Sequence, residues 1–288
     1  MIKINKTSTR DLSSIVDEHF KSLEVILEKE IKKAHIRRIQ KAYLLERIKK
    51  IITGIPDELI RLQRNYKSFC NARNLNSDSA IRKIFSYNNF VKRRKYNPYI
   101  LSKRLGVNVC PYCNRQYVTT IVKNTRDVSR PDFDHFFSQE KYPMLALSFY
   151  NLIPSCTICN SRLKGRKKFT LKSHLNPYLA GFDKNMKFGY NPHNVGAATG
   201  VSDELEIILN FNIKAINYIN IKGNCETFEI QTIYQNHRDI VREIVRKHYI
   251  TGGEYLKQLA QTFPGMNTSE AELYQLAFGN YQDESEFE

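Results

Sequence analysis

The chain has 288 residues, 41% hydrophobic and 26% charged, with a formal net charge of +16. That length holds one large domain or two to three modest ones, and no apolar run approaches the length of a membrane-spanning helix. The start, "MIKINKTSTRDLSS", lacks the apolar centre of a signal peptide, which predicts a cytoplasmic chain with no membrane partner, whose six cysteines are metal ligands or free thiols.

The front is basic: residues 1–104 balance at +15, residues 105–168 at +6 and residues 169–288 at −5. Such a front and centre suit a polyanionic partner, most often nucleic acid, or else form a solvated lysine-rich surface. From residue 12 to about 70 the apolar residues Leu23, Ile26, Leu27, Ile36, Ile39, Leu44, Leu45, Ile48 and Ile51 recur at helical spacing. "TGIP" at 53–56 breaks the pattern, and Pro56-Asp57-Glu58 reads as a new helix start. "NLNSDSA" at 74–80 is a second break before a short helix to residue 85. His19 and His35 fall on these helices as expected surface residues. "KRRKYNPY" at 92–99 sets Lys92, Arg93, Arg94 and Lys95 beside Tyr96 and Tyr99. It reads as a strip for a phosphate backbone, or as a charged connector.

The centre turns β-branched and aromatic, with "QYVTTIVKN" and "DFDHFFS" reading as strands. Beyond residue 165, "HLNPYLAGF" and "GYNPHNVGAATG" are rich in turn signals. "LEIILNFN" and "INYINIKG" read as a strand pair. The run 230–260 reads as one or two amphipathic helices interrupted near Gly252-Gly253, before an acidic tail, "YQDESEFE". Cys70 and Cys225 have no partner spacing and read as buried or free thiols.

"CPYC" places Cys110 and Cys113 as either a redox pair or half of a metal site. A redox pair opens a helix, which lowers the first thiol's pKa, whereas here a strand-like run follows. A second pair, Cys156 and Cys159, follows 43 residues after Cys113. Two such pairs predict one tetrahedral, structural Zn²⁺ site with no open position for substrate.

Between the pairs, Asp134-His135 precedes Asn151 in "YNLIPSC" and Asn160 in "CNSRLKG". This stretch resembles the ββα-metal finger of HNH endonucleases. With "YPMLALSFYNLIPSCTICN" it is most similar to the nuclease component of Septu-type phage-defence systems and related retron effectors, in which the nuclease works beside an ATPase. The resemblance covers roughly residues 105–185; the front has no counterpart in it.

The resemblance implies His135 as general base, Asp134 and Asn160 as ligands of a catalytic Mg²⁺ or Mn²⁺, and Asn151 as the residue that holds the loop and aims His135. Asn160 stands where the plainest pattern has His, so an amide oxygen would be the ligand. Independently of the family, imidazole titrates near neutrality and carboxylate and amide oxygens suit hard cations. Asp132, two residues earlier on the same strand face, either assists the metal or solvates the strand. Arg162, Lys164 and Arg166 follow Asn160 and are expected to steer phosphate. No Walker-type motif occurs, so an ATPase would be a separate chain.

The expected fold is α+β in three parts. They are a basic helical region at 1–104 that binds nucleic acid or a partner, a zinc-clamped finger at 105–185, and a mostly helical region with a small β-hairpin at 186–288. The expected function is DNA hydrolysis. Cleavage of RNA, including tRNA, and a non-catalytic nucleic-acid-binding adaptor remain open.

Overall fold

The computed structural model describes residues 1–4, 11–76, 78–123, 126–252, 254–262 and 269–278. The chain divides into two compact units, Met1–Gly181 and Phe182–Glu288. Both combine helices with short antiparallel strand pairs, an α+β architecture. No helix among the described residues is long and apolar enough to cross a membrane.

The first unit opens with α1 (Leu12–Lys33), α2 (Arg38–Thr53) and α3 (Pro56–Asn71). Asp11 caps α1, and Pro56 with Glu58 starts α3, the Glu58 carboxylate accepting from Ile55 N at 3.2 Å. The buried residues of α1 are Ile15, Val16, His19, Phe20, Leu23, Leu27 and Ile31, a single stripe at helical spacing. Ile26 and Ile39, although on the periodic run, stay substantially exposed. Three shorter helices follow: α4 (Asp78–Ile84), α5 (Tyr87–Val91) and α6 (Pro98–Leu105). Asn97 caps α6, and Gly106 ends it at φ +63°, a conformation that favours glycine.

Composition suggests a boundary near residue 104, yet the helices and the centre share one core. His19, expected at the surface, is fully buried: its ring lies 2.8 Å from the Tyr96 hydroxyl and 2.9 Å from the Leu147 carbonyl. Ser148 donates to the Ile51 carbonyl of α2 at 2.5 Å. Tyr96 is buried too, so the basic-aromatic strip loses one of its two rings to the core. His35 is exposed, as expected.

The centre carries β1 (Ile121–Lys123) paired with β2 (Arg126–Ser129), and β3 (Asp132–His135) paired antiparallel with β4 (Leu152–Ser155). Their register sets Asp132 opposite Ser155 and His135 opposite Leu152. The β3–β4 connection is compact, with two single turns of 3₁₀ helix at Pro143–Leu145 and Phe149–Asn151. A π-helical segment, Ile158–Lys164, follows β4 directly and closes on Gly165 (φ +48°), whose N–H donates to the Asn160 carbonyl at 2.9 Å.

The second unit contains β5 (Met186–Pro192), α7 (Val195–Ala198), β6 (Leu205–Phe211), α8 (Tyr218–Thr227), α9 (Ile230–Tyr234), α10 (Arg238–Thr251), α11 (Tyr255–Thr262) and α12 (Glu270–Phe278). Ala197, Leu205 and Ile207 form one buried apolar cluster in it, with Tyr234 and Val241 against them. The expected hairpin exists, but its members differ: β6 pairs with β5, the turn-rich stretch, and "INYINIKG" belongs largely to helix α8. β6 has little room for a second partner, because the Gln235 amide takes Ile207 N at 3.0 Å and Ile207 O at 2.6 Å. Ile221, Asn224 and Cys225 are then buried at helical spacing. The interruption of the last helices falls at Gly252 (φ +62°). The acidic tail lies outside the described residues.

A four-cysteine clamp around a candidate active site

Cys110, Cys113, Cys156 and Cys159 are all buried, and their sulfurs lie within 4.8 Å of one another. A tetrahedral zinc with thiolates at about 2.3 Å would set its sulfurs about 3.8 Å apart, which this arrangement accommodates. Each pair is a tight knuckle. In the first, Asn114 N donates to Cys110 O at 2.8 Å and Asn114 takes φ +48°. In the second, Cys159 N points at Cys156 Sγ at 3.4 Å. Hydrogen bonding with Cys110, then with the other two thiols, pushes the Cys113 thiol down and the Cys159 thiol up. Four buried thiolates need a cation, and the donor set can hold one such as zinc.

Both knuckles reach Asp134. Tyr112 stands between the two cysteines of the first and donates its hydroxyl proton to Asp134 Oδ2 at 2.7 Å. Lys164 ends the helical segment that grows from the second, and its Nζ donates to Asp134 Oδ1 at 2.6 Å and to the His135 carbonyl at 2.8 Å. The lysine and aspartate side chains are 4% and 3% exposed, so this is an interior ion pair. Burial drives the Tyr112 hydroxyl well above its ordinary pKa and keeps it a proton donor.

His135 leaves the strand on the other side. Its Nε2 sits 3.0 Å from the Ala146 carbonyl, and its ring packs edge-on against Tyr87 of α5, centroids 4.9 Å apart. Burial lowers its pKa below 6.5, opposed by the Ala146 bond. A neutral ring facing a carbonyl through Nε2 carries its proton there, which leaves a lone pair on Nδ1. Nδ1 makes no hydrogen bond among the described residues.

Asn151 is fully buried and ties the β3–β4 connection at both ends. Its Oδ1 accepts from Phe137 N at 2.6 Å, and its Nδ2 donates to Phe137 O at 3.1 Å and to Leu145 O at 2.8 Å. That fixes the carbonyl next to Leu145 against which His135 leans. From further along the chain, Tyr178 donates to Leu152 O and Asn176 to Tyr150 O, both at 3.0 Å, pinning the start of β4.

Asn160 is half-buried, and its side chain makes no hydrogen bond among the described residues. It lies one turn before Lys164 on the segment that reaches Asp134. Carboxylate and amide oxygens are the right donors for a hard divalent cation, so Asp134 and Asn160 fit one in kind, with the Lys164 ammonium already on Asp134.

Of the expected phosphate-steering residues, Arg162 and Arg166 are exposed, and so are Lys92, Arg94 and Lys95. Lys164, expected to steer phosphate, is instead interior and paired with Asp134. Arg93 is half-buried, and burial lowers its pKa. Tyr112, Tyr87 and the Ala146 carbonyl escaped the sequence reading; only Tyr112, fixed between two ligands, had a positional signal.

Comparison with protein-family models, with characterised proteins and with solved structures returns no match. The functional reading therefore rests on these residues and their arrangement.

Proposed function

We propose that the chain is an HNH-type endonuclease that hydrolyses phosphodiester bonds in DNA, its four cysteines holding one structural Zn²⁺. The observation that carries this reading is His135, whose Nε2–H is occupied by the Ala146 carbonyl and whose Nδ1 is left as an acceptor, on the residue that directly follows Asp134 in β3. In this reading His135 Nδ1 takes the proton of the attacking water, Asn151 keeps the ring aimed, and Asp134 with Asn160 would hold Mg²⁺ or Mn²⁺. That ion, when bound, supplies positive charge for the developing phosphorane. Arg162, Arg166, Lys92, Arg94 and Lys95 are available to phosphates from the surface.

The biological setting follows from the resemblance: an effector in anti-phage defence, gated by a separate ATPase. A second reading is favoured by one observation. Asp134 has both oxygens engaged by Lys164 and Tyr112, as suits a zinc-stabilised adaptor that binds nucleic acid without cutting it.

The test is cleavage of plasmid DNA and of total tRNA by purified protein, with Mg²⁺ and Mn²⁺ in separate reactions and His135→Ala alongside. Metal-dependent DNA cutting that the variant loses is the expected result. Cutting of tRNA alone would move the substrate to RNA. Binding without cutting, even with the ATPase partner present, would favour the adaptor.

A further inference from the structure

We propose that Lys164 is the resident cation of the Asp134 site, and that a divalent ion must displace its ammonium before Asp134 and Asn160 can hold one. The proposal rests on the nuclease reading for its two hard-oxygen donors, but not on any cleavage being observed.

Three relationships carry it. The ammonium is 2.6 Å from Asp134 Oδ1 and 2.8 Å from the His135 carbonyl, two oxygen contacts such as a hard cation would also seek. It lies 5.0 Å from the centre of the Phe169 ring, which stacks on His174, so one side of the group faces aromatic carbon rather than water. Asn160, the other donor, lies four residues earlier on the same π-helical segment and has no hydrogen bond for its amide among the described residues. One segment thus delivers both a potential ligand and a competitor for the ion that ligand would bind.

Competition couples entry of an ion to a movement of Lys164. Two cations cannot share one buried carboxylate oxygen without strong mutual repulsion, so entry of the ion and departure of Lys164 are one event. Lys164 is on this account a positioning residue: while seated it fixes Asp134 and the backbone of His135 together, and once displaced it is free to turn outward.

The experiment uses the zinc-loaded full chain and reads binding. Mn²⁺ is titrated by electron paramagnetic resonance into wild type, Lys164→Met, Lys164→Arg and Asp134→Asn. Lys164→Met is expected to bind Mn²⁺ about tenfold or more tightly than wild type. Lys164→Arg, which keeps the charge, should stay near wild type, and Asp134→Asn should abolish the site. Equal affinity in wild type and in folded Lys164→Met would overturn the proposal, as would tight binding that survives Asp134→Asn. A wild-type measurement covers the case in which Lys164→Met does not fold. The Lys164 ammonium resonance should shift during a Mg²⁺ titration at the midpoint that calorimetry gives for binding. Mg²⁺ binding that leaves that resonance unmoved, or no Mg²⁺ binding at all, would equally overturn it. Loss of the nuclease reading is separable, because it shows as wild type that binds the ion and never cuts.

Discussion

His19 of α1 and His135 of β3 stand against adjacent carbonyls of one loop: His19 Nε2 is 2.9 Å from Leu147 O and His135 Nε2 is 3.0 Å from Ala146 O. The loop is held between the two rings. Its position therefore depends on a helix more than a hundred residues before it as well as on the strand it follows.

Protonating His19 would break that arrangement. Burial pushes its pKa down to about 4, while the unfolded chain titrates near 6.5. The folded state thus refuses a proton that the unfolded state accepts. Its contribution is complete above about pH 6.5 and is lost as pH falls toward 4, amounting to roughly 3 kcal/mol. Urea unfolding at a series of pH values should show that slope, and His19→Gln should flatten it.

In the proposed nuclease the same direction of shift at His135 concerns activity. A base with a lowered pKa stays deprotonated into mild acid, so the acid limb of the cleavage rate should fall below pH 6.5, not at it. His135→Ala should lower the rate by about 10²–10⁴-fold and cost about 3 kcal/mol of stability, since it empties a buried place against Tyr87 as well as losing the Ala146 bond. Rates across pH, paired with thermal melts, check both.

The cysteine cluster predicts one zinc per chain by elemental analysis. Cys159→Ser should lose the metal and at least about 3 kcal/mol, seen as a fall of about 10 °C in Tm. Full retention of metal by that variant would remove the four-thiolate site.

Asn151 separates positioning from chemistry. Asn151→Ala removes three hydrogen bonds in a fully buried place, at a cost of about 3 kcal/mol. Zinc content should be unchanged, because the clamp does not use this amide. Cleavage should fall at temperatures where the variant is still folded.

Lys92, Arg94 and Lys95 test the front as a nucleic-acid surface. Replacing all three by Ala should reduce the slope of log affinity against log salt by about 2–3. Arg93→Ala should leave that slope nearly unchanged, since its guanidinium is half-buried. Salt titrations of a labelled duplex supply the comparison.

The cysteine pattern was readable in the chain because metal ligands impose fixed spacings, and the strand that ends in Asp134-His135 showed in its aromatic run, whereas β4, directly after Asn151, was not among the expected strands. Lys164 was not readable either. A lysine two residues after Arg162 looks solvent-bound unless the pitch of the intervening backbone is known, and here a π-helical segment carries it inward. His19 failed for a related reason: an imidazole on an apolar stripe looks anomalous until Tyr96 and Leu147 arrive from 77 and 128 residues away. The strand at 216–223 failed because the run has the β-branched and aromatic content of a strand without its strict alternation, Tyr218 and Ile219 being adjacent, and Gln235 occupies the sheet edge such a strand would need.

The β3–β4 loop lies against His19 of α1 through the Leu147 carbonyl and donates from Ser148 to α2, while His135 at the end of β3 takes the Tyr87 ring of α5. A strand pair that leans with its loop on three outside helices is not a cassette. Grafted alone onto another chain it would carry its metal clamp intact but not the walls that hold the loop, so recombination that preserves this site must move the helices with it.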